Sequence, residues 1–134
     1  MNKTEYIEQH FPQVDPGVKV CGAKVLIQLR TIKEFSSGGI ALAKATTEFN
    51  NGNTRIGRLV AVGGIAFCDR NTGQEWKEGK WAEVGDIVIM PAWGGFRFEV
   101  PIPGQQEKAI FTVFDDTNVQ MVVESNFETF DQLL

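Results

Sequence analysis

At 134 residues the chain has the length of one domain, enough to bury a modest core without disulfide or metal staples. A hydrophobic content of 43% excludes wholesale disorder, and a net charge of -4 argues against a dedicated nucleic-acid binder, which carries a clustered basic face. Charge is also uneven, since Lys108 is the last basic residue and five acids follow it.

Fourteen Gly and five Pro, set between short apolar runs, predict many turns and an all-β fold. The opening MNKTEYIEQHFPQVD lacks the basic start and apolar run of a signal peptide. No stretch approaches the roughly 18 apolar residues of a membrane-spanning helix, so a cytoplasmic location is the expectation. Residues 2–11 admit either a short helix, with Tyr6, Ile7, His10 and Phe11 on one side, or a flexible extension broken by Pro12, Pro16 and Gly17. His10, the one histidine, reads as a surface residue of that tail. Val18–Arg30 reads as the first strand region, its Val25, Ile27 and Leu29 alternating as on a half-buried strand.

Lys33–Thr54 reads KEFSSGGIALAKATTEFNNGNT, a long polar insertion holding one apolar triplet, Ile40-Ala41-Leu42. A loop of this length between two strands is functional or disordered, and exposed Ile and Leu favour function. The expectation is a segment that docks on a partner and orders on contact, giving up affinity to conformational entropy. Burying Ile and Leu contributes about 1.5–3 kcal/mol each before that cost, so several copies in one assembly would be needed for firm binding.

Ile56–Gly64 is the returning strand. Ile65–Trp81 reads as a hairpin excursion turning at Asp69-Arg70-Asn71-Thr72-Gly73. Asp86–Met90, Phe96–Val100, Lys108–Phe114 and Asn118–Val123 are further strands, with Phe96, Phe98 and Val100 predicting one clear buried face. Asp115-Asp116-Thr117 reads as a tight turn. Ser125–Leu134 admits a capped helix or a frayed tail.

Catalytic chemistry is hard to assemble. There is no second histidine for a metal site, no GxSxG elbow and no Walker loop. The glycine pairs do not match GxGxxG, and Asp115-Asp116 suits turn geometry. Cys21 and Cys68 lie 47 positions apart without a CxxC and read as buried, reduced core thiols. No enzyme activity, cofactor or metal is expected.

These pieces, in this order, resemble the chaperonin-10 or GroES-type co-chaperonin family. Lys24-Val25-Leu26-Ile27 is similar to its first barrel strand, and Ser37-Gly38-Gly39-Ile40-Ala41-Leu42 to its mobile loop. Gly57–Gly63 resembles the strand after that loop, Val84-Gly85-Asp86-Ile87-Val88-Ile89 its most recognisable run, and Trp93-Gly94-Gly95 its aromatic-glycine turn. Lys108–Phe111 through Val119–Val123 resembles the closing strands, so the likeness covers roughly residues 19–124.

The resemblance implies a small β-barrel at 18–124, with a mobile loop at 33–54 and a roof hairpin at 64–82. It leaves an N-terminal extension at 1–17 and a C-terminal one at 125–134. It implies a homo-oligomeric ring, a heptamer, that caps an ATP-bound GroEL-type chaperonin ring and encloses non-native polypeptide. The chaperonin-binding residues would be Gly38, Gly39, Ile40, Ala41 and Leu42, with no nucleic acid or membrane partner. Ala41 stands where the family commonly has a larger apolar residue, a loss on the order of 1–1.6 kcal/mol per loop. The longer loop and the extensions would fit a phage-encoded member working in its host's cytoplasm. Two other classes compete: a stand-alone β-barrel binding module, and a zinc-free relative of the barrel domain of medium-chain dehydrogenases.

Overall fold

The computed structural model describes residues 1–31, 55–92 and 94–133. In chain order its elements are helix α1 (Lys3–His10), strands β1 (Lys24–Leu29), β2 (Ile56–Val62), β3 (Ile87–Ile89), β4 (Phe96–Pro101), β5 (Lys108–Asp115) and β6 (Met121–Val123), and helix α2 (Phe127–Leu133). The strands form one antiparallel sheet in the order β4-β5-β1-β2-β3-β6. The fold is therefore a small, mostly β domain. Its end strands β4 and β6 share no ladder among the described residues, so the sheet is open where a closed barrel is the expectation. Other segments of the chain cover its faces instead.

Strand β1 shows why two covers are needed. After exposed Lys24, all five of its residues are buried, so the alternation that suggests a half-buried strand marks two buried faces. Val25, Ile27 and Leu29 join Leu59, Val88, Met90 and Phe114 in the main core. Leu26 belongs to a second cluster with Val20, Ile102, Ala109 and Phe111. Gln28, only 2% exposed, donates from Nε2 to the Pro12 carbonyl at 2.9 Å, which satisfies an otherwise costly buried amide.

The strand begins six residues later than the apolar pattern of Val18–Arg30 suggests. Gly22 turns the chain at a φ of 63°, and the passing Gly63 lies so close that a Cβ there would meet the Gly22 carbonyl at 2.1 Å. Cys21 precedes this turn and is exposed, while Cys68 is half-buried; both are free. The pair of buried core thiols is thus corrected, because neither cysteine lies in the alternation of a strand.

Residues 64–82 fold back over the main core. Ala66, Phe67 and Ala82 are part of it, and Trp76 and Trp81 pack against it. Phe67 meets Trp76 edge-on at 5.6 Å between ring centroids, and Trp76 lies 4.6 Å from Trp81. The aromatics of this excursion therefore pack inward, while Asp69, Arg70, Glu75, Lys77, Glu78 and Lys80 are exposed. Its one ladder element is the bridge between Cys68 and Glu75. Asp116, fully buried, fixes the excursion from below. Its carboxylate accepts from the backbone N–H of Phe67 at 2.9 Å, holding that residue at its left-handed φ of 61°, and from Thr117 at 2.8 Å.

The terminal segments build a third cluster. Tyr6 and Phe11 pack with Ile56, Ile87, Ile89, Val123 and Phe127, and the Tyr6 ring stacks on Phe127 at 5.3 Å. Of the two readings for residues 2–11 the structure shows the helix: Asn2 caps it by accepting from the Glu5 N–H at 2.8 Å, and Pro12 follows its end. Residues 127–133 are likewise helical.

At the other end of the sheet, β4 lacks the clear buried face that its sequence suggests. Phe98 and Val100 are half-buried and Phe96 is 70% exposed. It is an end strand of the sheet, with a partner in β5 on one side.

Candidate functional site

The five residues expected to bind a chaperonin, Gly38, Gly39, Ile40, Ala41 and Leu42, lie outside the described residues, as does Trp93. The structure does describe the two points between which segment 32–54 runs, and side-chain hydrogen bonds tie both of them to other elements.

Strands β1 and β2 are paired neighbours, with Leu29 opposite Gly57 and the Arg30 N–H donating to the Ile56 carbonyl at 3.0 Å. On the β1 side, Thr31 donates to the His10 carbonyl through both its backbone N–H, at 3.0 Å, and its hydroxyl, at 2.8 Å. The Thr31 carbonyl lies 2.9 Å from Nδ1 of His10, whose ring sits 4.7 Å from that of Tyr6. The end of α1 is thereby stitched to the end of β1. His10, which reads in sequence as a surface residue of a tail, is a part-buried member of this contact.

Arg30 extends the tie to α2. It is 4% exposed and places Nη1 at 2.8 Å from both the backbone carbonyl and Oδ1 of Asp131, whose side chain is 29% exposed. The same Oδ1 accepts the Tyr6 hydroxyl at 2.8 Å. One carboxylate oxygen therefore joins α1, β1 and α2. Burial, then the hydrogen bond to Asp131 and its negative charge, push the Tyr6 phenol well above its ordinary value of 10.0. On the β2 side, Arg55 donates from Nη2 to Oε1 of Gln120 at 2.8 Å, and its carbonyl accepts from the Met90 N–H at 2.9 Å.

A further tie runs along α1. Lys3 Nζ meets Asp86 Oδ1 at 2.8 Å, and Asp86 Oδ2 accepts from the Glu83 N–H at 2.9 Å. Partial burial alone would raise the Asp86 carboxyl, but these two hydrogen bonds and the Lys3 charge outweigh it and hold the group below its usual range.

No group of three or more metal-ligating side chains lies close together among the described residues. A cleft of about 290 Å³ opens between β2 and the excursion, lined by Val62, Phe67, Cys68, Lys80 and Val84. No helix of the described residues is long and apolar enough to cross a membrane.

The ties at Arg30, Thr31 and His10 have no signature in the sequence. Arg30 and Asp131 are 101 residues apart, and Tyr6 and Asp131 are 125 apart. What the sequence does carry is the helical spacing of Phe127 and Phe130, which brings Asp131 to the same place. Compared with known proteins, the chain matches no family model and no curated protein.

Proposed function

We propose that this protein is a co-chaperonin: a ring-forming lid that docks on an ATP-bound chaperonin through Ile40, Ala41 and Leu42 and encloses non-native polypeptide. The observation that supports this reading best is the placement of segment 32–54. The Ser37–Leu42 run lies in the connection between two paired strands, and both of its ends are pinned by hydrogen bonds to the helices and to β3 and the turn before β6. A docking segment needs such an anchor, because a pull on it must be passed to a rigid body rather than unravel its own strands.

In this reading the protein hydrolyses nothing itself. It changes the partner's ATP cycle by binding one nucleotide state better than the other. Small Ala41 at the middle of the apolar triplet lowers the area each copy buries and leaves more of the affinity to multivalency.

The test is capture. The protein is mixed with a GroEL-type chaperonin with and without ATP, and the complex is isolated by size. Wild type should co-elute only with nucleotide, and Ile40→Ser with Leu42→Ser should abolish co-elution while leaving the thermal melt unchanged. A double variant that still co-elutes, or a wild type that ignores the chaperonin in every nucleotide state, would overturn the proposal.

A further inference from the structure

Strand β4 carries an unusual combination for a sheet edge. Its outer side pairs with no strand among the described residues, and edges of that kind are normally blunted by lysine, proline or a bulge. Across Phe96–Val100 there is no lysine, proline or irregularity of register, and Pro101 comes only at the end. An aromatic row leads outward to this edge. Phe111, 1% exposed, stacks on Phe98 at 5.5 Å, and Phe98 lies 6.2 Å from Phe96, which is 70% exposed.

The sequence of the edge, Phe96-Arg97-Phe98-Glu99-Val100, is self-complementary in the antiparallel sense. We propose that β4 pairs with β4 of a second copy of this chain about a twofold axis through Phe98. In that register Phe98 opposes its own copy, Phe96 opposes Val100, and Arg97 opposes Glu99 on both sides of the axis. The aromatic and aliphatic pairs fall on the face that already carries Phe111, and the two opposite-charge pairs fall on the other face.

The charges exclude the neighbouring registers. A slip of two residues one way sets Arg97 against Arg97, and the other way sets Glu99 against Glu99. A slip of one residue puts Arg97 opposite Phe98 and mixes the two faces. The paired window ends where Pro101, which has no N–H to give, would meet Gly95 with its φ of 75°. Glu99 faces Lys108 of its own chain at 3.8 Å, with both side chains more than half exposed, so it can turn to a partner at little cost.

This contact is twofold and closes on two copies, so it is separate from any ring closure and does not rest on the co-chaperonin reading. Pairing through β4 joins two copies, so it at least doubles the mass of whatever unit carries it. The experiment measures mass against concentration by sedimentation for the wild type, three charge variants and a mixture of two of them. Arg97→Glu alone and Glu99→Arg alone should each weaken the doubling roughly tenfold or more, since each turns both cross-axis pairs into like charges. The two single variants mixed together should pair with each other, and the double variant Arg97→Glu/Glu99→Arg should pair as the wild type does.

Circular dichroism melts confirm that each variant is folded. A wild type that never doubles would overturn the proposal. So would single variants that associate unchanged, a mixture that fails to restore pairing, or an association lost on Met121→Lys at the β6 edge but not on the β4 exchanges.

Discussion

Removing the carboxylate of Asp131 tests how segment 32–54 is anchored. Oδ1 of this residue accepts two hydrogen bonds at 2.8 Å, one from Arg30 and one from Tyr6. Arg30 is 4% exposed, so Asp131→Ala leaves a buried guanidinium without its carboxylate while the Asp131 backbone carbonyl still accepts from Nη1. Loss of a charge-assisted bond costs about 1.5–3 kcal/mol and loss of the phenol's partner about 1 kcal/mol. Breaking a fully buried ion pair costs about 3–5 kcal/mol, and the 29% exposure of Asp131 places the expected loss at the low end, about 3 kcal/mol. Such a loss would lower the melting temperature by roughly 10 °C in a domain of this size. Urea unfolding of wild type and variant gives the difference directly, with the slope unchanged. Amide exchange at Thr31 should quicken in the variant more than exchange in mid-β1. A loss under about 1 kcal/mol would refute the reasoning, for it would mean the pair behaves like an exposed surface salt bridge.

Two further outcomes follow from the geometry. Tyr6 is the one tyrosine, so phenolate absorbance reports it alone. Its raised folded value means that the folded chain keeps a proton the unfolded chain gives up, so the resulting stability is full below about pH 10 and is lost as pH rises beyond that. The native protein should show almost no phenolate at pH 10, with the signal appearing together with unfolding, and a half-ionised phenol in folded protein at that pH would contradict the burial argument. Gly63→Ala forces a Cβ to within 2.1 Å of the Gly22 carbonyl and should cost about 3 kcal/mol, whereas Gly64→Ala meets nothing within 4 Å and should stay within about 0.5 kcal/mol of wild type. Equal urea midpoints for the two variants would disprove the close approach of the Cys21–Gly22 turn.

Legibility in the sequence follows the range of the interactions. The cores of all six strands were readable because apolar alternation is local, and both helices were among the readings that their spacing allowed. Strand limits depended on contacts from elsewhere: β1 starts only where Gly22 has turned away from Gly63. The same holds for the number of faces a strand buries. Nothing in KVLIQL says that Gln28 will find the Pro12 carbonyl beneath it. The exposure of Phe96 is likewise a property of sheet order, since the same residues in a central strand would have been buried. Arg30 and Asp131, ordinary charged residues in sequence, become the anchor only because two helices from distant parts of the chain meet beside them. The Ser37–Leu42 run is the reverse case: it lies outside the described residues, and its proposed docking role rests on its residues and their order alone.

The stacking of Tyr6 on Phe127 has a consequence for the order in which the chain can fold. An eight-residue helix is marginal by itself in water, and α1 owes its buried ring and its hydroxyl's partner to residues more than a hundred positions later. During synthesis α1 emerges before every strand it packs on, and its tyrosine and Phe11 are only partly covered by Ile56, Ile87 and Ile89 until β6 and α2 have followed. The cluster around Tyr6 and Phe11 is therefore complete only after β6 and α2 have emerged. A protein proposed to shelter other chains from aggregation would pass through the same exposed state on its own way to the native fold.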